Sequence, residues 1–194
     1  MKIVKILLLL LSLIILFTGC SIPHRVSDDY RQYLLNNQGN FKFPETNYVA
    51  EYILTPNTMN HYYELRCATA GYAHLWIVEF GKILEETLIS SDFQSAFKKL
   101  SRASDVSSTN VLRIKYNLVD YKFEGFEARV RLQITVIKDG SVILDKIYFE
   151  KGKSQGGKLF LAGVFGMKNA IQQSTKIAID KILFQSLIDI KSNT

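Results

Sequence analysis

From residue 126 to residue 136 apolar and polar side chains alternate without a break. Phe126, Ala128, Val130, Leu132, Ile134 and Val136 share one parity, and Glu127, Arg129, Arg131, Gln133 and Thr135 the other. Period two predicts an antiparallel strand with one core face and one wet face. Asp139-Gly140 follows, a pair that tolerates positive φ at both turn positions, so a hairpin with 142–149 as its return strand is predicted. Residues 112–123 form the preceding strand, joined through Glu124-Gly125. Its apolar set changes parity, from Leu112, Ile114, Tyr116 and Leu118 to Val119, Tyr121 and Phe123. The return strand changes similarly between Leu144 and Ile147. A one-residue slip turns every side chain over, so each change predicts a bulge or a twist buried on both faces.

Two further strands are predicted over 48–54 and 61–67, separated by the turn-forming Thr55-Pro56-Asn57-Thr58. In the second, Tyr63, Leu65 and Cys67 alternate with Tyr62, Glu64 and Arg66, which turns Cys67 towards the core. A helix is predicted over 76–88, with Ile77, Phe80, Leu84 and Leu88 on one stripe and Ile83 beside it. Gly81 costs roughly 1 kcal/mol inside a helix. Either the backbone approaches a neighbour there, or the helix begins there and 76–80 is a strand; both readings stand. Residues 93–100 fit either state, and 101–109 form a polar loop. A closing helix over 169–190 places Ile171, Ala178, Ile182 and Leu187 near one face, suited to lie across a sheet. The expected fold is one α+β domain over 47–192: an antiparallel sheet, the three-strand meander plus additional strands, with helices packed on one face.

The start of the chain follows a different rule. Lys2 and Lys5 precede an apolar run from 6 to 17, which ends in Leu16-Phe17-Thr18-Gly19-Cys20. A basic start, a short apolar core and small residues before a cut site make a secretory signal. The run is too short for a bilayer-spanning helix, which needs about 20 apolar residues. Cys20 directly after Thr18-Gly19 resembles a bacterial lipoprotein signal, with Phe17 where Leu is usual. That resemblance implies acylation of the Cys20 thiol by diacylglycerol, cleavage before Cys20 and acylation of the new amine. Two or three chains hold a protein at a membrane, where one binds only marginally. Residues 1–19 are then a signal peptide, and 20–46 a lipidated N-terminus and tether. Pro23, Asp28, Asp29, Asn36, Asn37, Gly39, Asn40 and Pro44 break any long period there, apart from a turn or two of helix at 30–35. By the same resemblance, Ser21 permits sorting to the outer membrane, with the domain facing the periplasm.

Without residues 1–19 the chain keeps 175 of its 194 residues, and its formal charge falls from +6 to +4. That length supports one core. The charge is mild, and no run of Lys or Arg exceeds two, so nucleic acid is not an expected partner. With Cys20 acylated, the chain holds no second cysteine for a disulfide to Cys67, which reads as a small buried hydrophobe, with an intermolecular disulfide as the alternative.

Candidate chemistry is thin. His61, Glu64, Cys67 and His74 are the only group with a metal-ligand composition, but a strand puts Glu64 opposite Cys67. His24 lies in the expected tether. Glu85 and Glu86 point apart on a helix, and no nucleophile elbow or His-Glu-x-x-His occurs. Gly156-Gly157 lacks the Gly-Lys-Ser/Thr ending of a phosphate loop. No catalytic residue, cofactor or metal is expected. The apolar, glycine-bearing 159–167 reads as helix entry or as an exposed loop that meets a partner or lipid.

The order of parts resembles the ABC-type transport auxiliary lipoproteins over roughly 72–190. The resemblance rests on Trp76 leading into Ile83-Leu84-Glu85-Glu86-Thr87-Leu88, on Asn110-Val111-Leu112-Arg113-Ile114, and on Ala128-Arg129-Val130-Arg131-Leu132. Gly140-Ser141-Val142-Ile143-Leu144 and the apolar last helix complete it. It implies a non-enzymatic accessory that docks on transport or lipid-shuttling proteins of the envelope, often as an oligomer, with membrane lipid as partner through Cys20. The 159–167 insertion departs from that group. The alternative is an assembly lipoprotein or a surface-exposed binding protein for another outer-membrane partner.

Overall fold

The long alternating strands pair as a meander, and every other element is placed against it. The computed structural model describes residues 21–67, 71–103, 111–154 and 163–193. In chain order these form β1 (Ile22–Arg25), α1 (Tyr30–Asn36), β2 (Val49–Leu54), α2 (Pro56–Met59), β3 (Tyr62–Leu65), β4 (His74–Glu79) and α3 (Phe80–Ile89). There follow α4 (Ser91–Gln94), β5 (Lys99–Arg102), β6 (Leu112–Glu124), β7 (Glu127–Lys138), β8 (Ser141–Lys153) and α5 (Gly163–Asn193). Five strands make one sheet in the order β5-β2-β6-β7-β8, and a smaller sheet has the order β1-β4-β3. The fold is α+β, as expected.

The antiparallel meander β6-β7-β8 agrees with the alternation. Asp139 and Gly140 turn the hairpin with φ of 50° and 79°. The parity change in β6 is a bulge: the register shifts between Leu118 and Asp120, so Leu118 and Tyr121 both reach the core. Val119 is the residue left over and faces outward, contrary to the expected grouping with Tyr121 and Phe123. The β2–α2 corner fills the gap. Thr58 Oγ1 accepts from the Leu118 N–H at 2.7 Å, and Asn57 Nδ2 donates to the Leu118 carbonyl at 2.6 Å. Phe126 also departs from its expected place on β7, because it occupies the β6–β7 turn with φ of 63° beside Gly125 at 59°.

Two further expectations change, and the choice left open at 76–80 is decided. Not all the additional strands are antiparallel: β3 pairs with β4 antiparallel, but β2 runs parallel to both β5 and β6, and β1 runs parallel to β4. The chain between β2 and β6 is long enough for such a crossover, where a hairpin is not. Residues 74–79 are strand, and the helix starts at Phe80. Both readings of Gly81 prove relevant, since a Cβ there would lie 2.5 Å from the Thr58 carbonyl oxygen. Most consequential, residues 21–46 are not a tether. β1 joins the small sheet, and Val26, Tyr30, Leu34 and Phe43 are buried in the common core. Cys20 and the signal lie outside the described residues, as do 104–110 and the part of 159–167 before Gly163. From Gly163 that segment is the first turn of α5.

α5 lies between the large sheet and the N-terminal segment. On its sheet side Ser174 Oγ accepts from the Ala128 N–H and donates to the Gly152 carbonyl, and Asp189 accepts from Tyr148 at 2.6 Å. On its other side Gln172 Nε2 donates to the Val26 carbonyl at 3.1 Å and to Asp29 at 2.6 Å. Phe184 meets Phe41 edge-on, with ring centroids 5.9 Å apart. A helix buried on both sides has no single wet face. Ile171, Ala178, Ile182 and Leu187 are buried as expected, and Gln172, Ser174, Thr175, Lys176 and Asp180 are buried with them.

The sheet accommodates α5 because Gly152 has no side chain: a Cβ there would sit 1.7 Å from the Ser174 carbonyl oxygen. Gly152→Ala should therefore lower unfolding stability by about 3 kcal/mol or more, since neither backbone has room to yield. Urea unfolding of the two proteins checks this, and a loss under about 1 kcal/mol contradicts the packing.

Candidate functional site

The described residues offer three places where function can act. The first is the end of the domain where β1 begins. The Ile22 N–H bonds the Ala73 carbonyl at 2.8 Å, and Ile22 stands beside His74 in a parallel register that continues to Arg25 and Ile77. His24 Nε2 and His74 Nδ1 are 2.8 Å apart, and the His24 ring stacks on Trp76. Burial holds His24 below its ordinary pKa, helped by His74 and Lys168.

The second is the outer edge of β8. Its even-numbered residues face α5: Lys146 and Tyr148 reach Asp189, Glu150 reaches Gln185, and Gly152 meets Ser174. Ile147 and Phe149 therefore face away, beside Gln133 and Arg131 of β7, and are 49% and 50% exposed. Among the described residues no strand pairs with the outer edge of β8. An open edge of this length with apolar side chains is a pairing surface unless something covers it.

The third is a cavity of about 180 Å³ between α1, α3–α4 and α5. Leu34, Phe43 and Ile89 give it apolar walls, Arg31 stands among its lining residues, and Lys176 and Asp180 contribute from α5. Lys176 and Asp180 form an ion pair one helical turn apart and nearly excluded from water. Asp180 Oδ1 has no hydrogen-bond partner among the described residues. Burial raises the Asp180 pKa, opposed by the Lys176 ammonium.

The residues considered for metal binding are dispersed. His61 sits between the rings of Phe80 and Tyr121, and Glu64 accepts from Tyr62 OH at the surface. Cys67 is half-buried on the core side, and His74 pairs with His24. Among the described residues no three His, Cys, Asp or Glu side chains are placed to share a metal ion. Glu85 pairs with Arg102 at 2.6 Å, while Glu86 lines the cavity. Cys20 and Gly156-Gly157 lie outside the described residues.

Sequence reasoning missed the β8 edge and the buried ion pair. The first had no local signal: the parity change in 142–149 accompanies a register shift opposite Val136 and Ile137, and the edge position follows only from the strand order. Nor had the second: Lys176 and Asp180 at i and i+4 stand among Gln172, Gln173 and Lys181, as residues of a solvated helix face do.

The comparisons bear on the fold alone. No family model and no curated protein matches the chain. Among solved structures it is similar to XCC0632 of Xanthomonas campestris, a crystal structure described under the family model DUF330. The TM-score is 0.50 at 13% identity, covering 77% of this chain and 89% of that one.

Removing one member of the ion pair leaves the other charged and buried, at a cost of about 3–5 kcal/mol. Lys176→Met should therefore destabilise strongly at pH 7. Asp180 then binds its proton more tightly in the folded than in the unfolded chain, so the loss shrinks as pH falls towards 4. Lys176→Met with Asp180→Leu should recover most of the stability at neutral pH. Unfolding curves at pH 7 and pH 4.5 check the sign, and a loss that grows with acidity contradicts the assignment.

Proposed function

We propose that the chain is a membrane-anchored envelope lipoprotein, a non-enzymatic accessory that docks on transport or lipid-shuttling proteins, in the manner of the ABC-type transport auxiliary group. Acyl chains on Cys20 hold it at the outer membrane, and the domain faces the periplasm. One juxtaposition carries the reading: the acylation pattern at 16–20 is followed at once by a domain that leaves an apolar edge strand open at β8. The open edge of that strand gives a partner main-chain donors and acceptors, and Ile147 and Phe149 add exposed apolar side chains. No helix among the described residues is long and apolar enough to cross a membrane. A role as assembly lipoprotein or surface-exposed binding protein uses the same features with a different partner.

The test is affinity capture of the full-length protein from crosslinked membranes, with Cys20→Ala and Phe149→Glu as controls. An ABC permease or a lipid-shuttling protein should be enriched with the native chain and reduced several-fold with either variant. Recovery of an outer-membrane assembly protein alone favours the alternative. Equal recovery by all three forms contradicts the proposal.

A further inference from the structure

The anchor and the fold leave no slack between them. Cys20 and Ile22 are two residues apart, a span of at most about 7 Å even when extended. Ile22 is already hydrogen-bonded into the small sheet, and β1 stays paired through Val26, whose N–H bonds the Ile77 carbonyl at 2.9 Å. Acyl chains on Cys20 would therefore hold a particular end of a rigid domain at headgroup depth.

The composition of that end is distinct. It comprises residues 21–24, the β3 exit at 66–67 and the β4 entry at 71–74, and none of these is a carboxylate. Tyr72 is 71% exposed and Ile22 47% exposed. Arg66 is exposed beside them and donates to the Tyr72 carbonyl. The nearby acids are engaged by neighbours: Glu64 bonds Tyr62, Glu79 bonds Arg25 and Ser27, and Glu124, at the adjacent β6–β7 turn, pairs with Arg129. An amphipathic aromatic ring, a guanidinium and an exposed aliphatic chain match the interface of an anionic bilayer.

We propose that this end of the domain, with Ile22, Arg66 and Tyr72, lies directly on the bilayer surface and binds acidic phospholipid headgroups, fixing the orientation of the whole domain. The proposal rests on acylation of Cys20. Arg66 pairs with lipid phosphate, and Tyr72 sits with its ring among the headgroups and its hydroxyl towards water. α5 leads away from this end: Lys168, near His24, and Asp189, bonded to Lys146, are separated by roughly 32 Å of helix. Ile147 and Phe149 are thereby carried off the membrane for a partner.

The test uses the mature acylated protein in vesicles of phosphatidylethanolamine with about a quarter phosphatidylglycerol. In a Cys67→Ser background, a bimane is placed at Tyr72→Cys, at Ile22→Cys or, at the far end, at Val142→Cys, and is quenched by headgroup-nitroxide lipid. Quenching at 72 and at 22 should exceed that at 142 by about threefold or more. Arg66→Gln should reduce the difference, as should replacing phosphatidylglycerol with phosphatidylcholine. Equal quenching at all three positions, with acyl chains found on Cys20 by intact mass, overturns the docked orientation and leaves the lipoprotein reading in place. An unacylated Cys20 overturns both.

Discussion

The structure depends on α5 being buried from two sides at once. One row of its residues, Ser174, Lys181, Gln185 and Asp189, holds the large sheet through Ala128, Glu150, Gly152 and Tyr148. The opposite row, Lys168, Gln172, Lys176, Asp180 and Phe184, faces the N-terminal segment and the cavity through Asp29, Val26 and Phe41. The first row fixes the helix on the meander. The second fixes β1, and with it the small sheet, on the helix. Polar groups on the second row are costly to bury unless each finds a partner, so the N-terminal segment is held by directional bonds as well as by Tyr30 and Leu34.

How far the sequence was legible follows from that arrangement. Where one face is wet the pattern is plain, and the meander, its Asp139-Gly140 turn and the bulge near Leu118 could be read directly. The row Lys168, Gln172, Lys176, Asp180 looks like a solvated helix face, because polar residues at i, i+4 usually are. It is covered by residues that looked like a tether, because Val26, Tyr30, Leu34 and Phe43 are scattered among Asp, Asn, Gly and Pro. Each partner conceals the other's burial. Parallel pairing of β2 was illegible for another reason, since strand direction depends on the crossover and not on the strand's own residues.

The functional reading separates along the same line. The resemblance of residues 16–20 to a lipoprotein signal is local to the sequence; the surfaces proposed to act depend on tertiary structure. β8 could be recognised as an open edge only when the strand order was known. The end around Ile22, Arg66 and Tyr72 is assembled from separate stretches of chain. Removing the tether changes the geometry of the proposal from a domain that searches a volume around its anchor to one held at a fixed attitude.

The most direct test of this account is to compare the chain from residue 21 with the chain from residue 47 by urea unfolding and hydrogen exchange. If the N-terminal segment is structural, the shorter chain loses its cooperative transition, and amides from Gln172 to Asp180 exchange many-fold faster. A shorter chain with the same midpoint and the same protection along α5 would contradict the account and restore the tether.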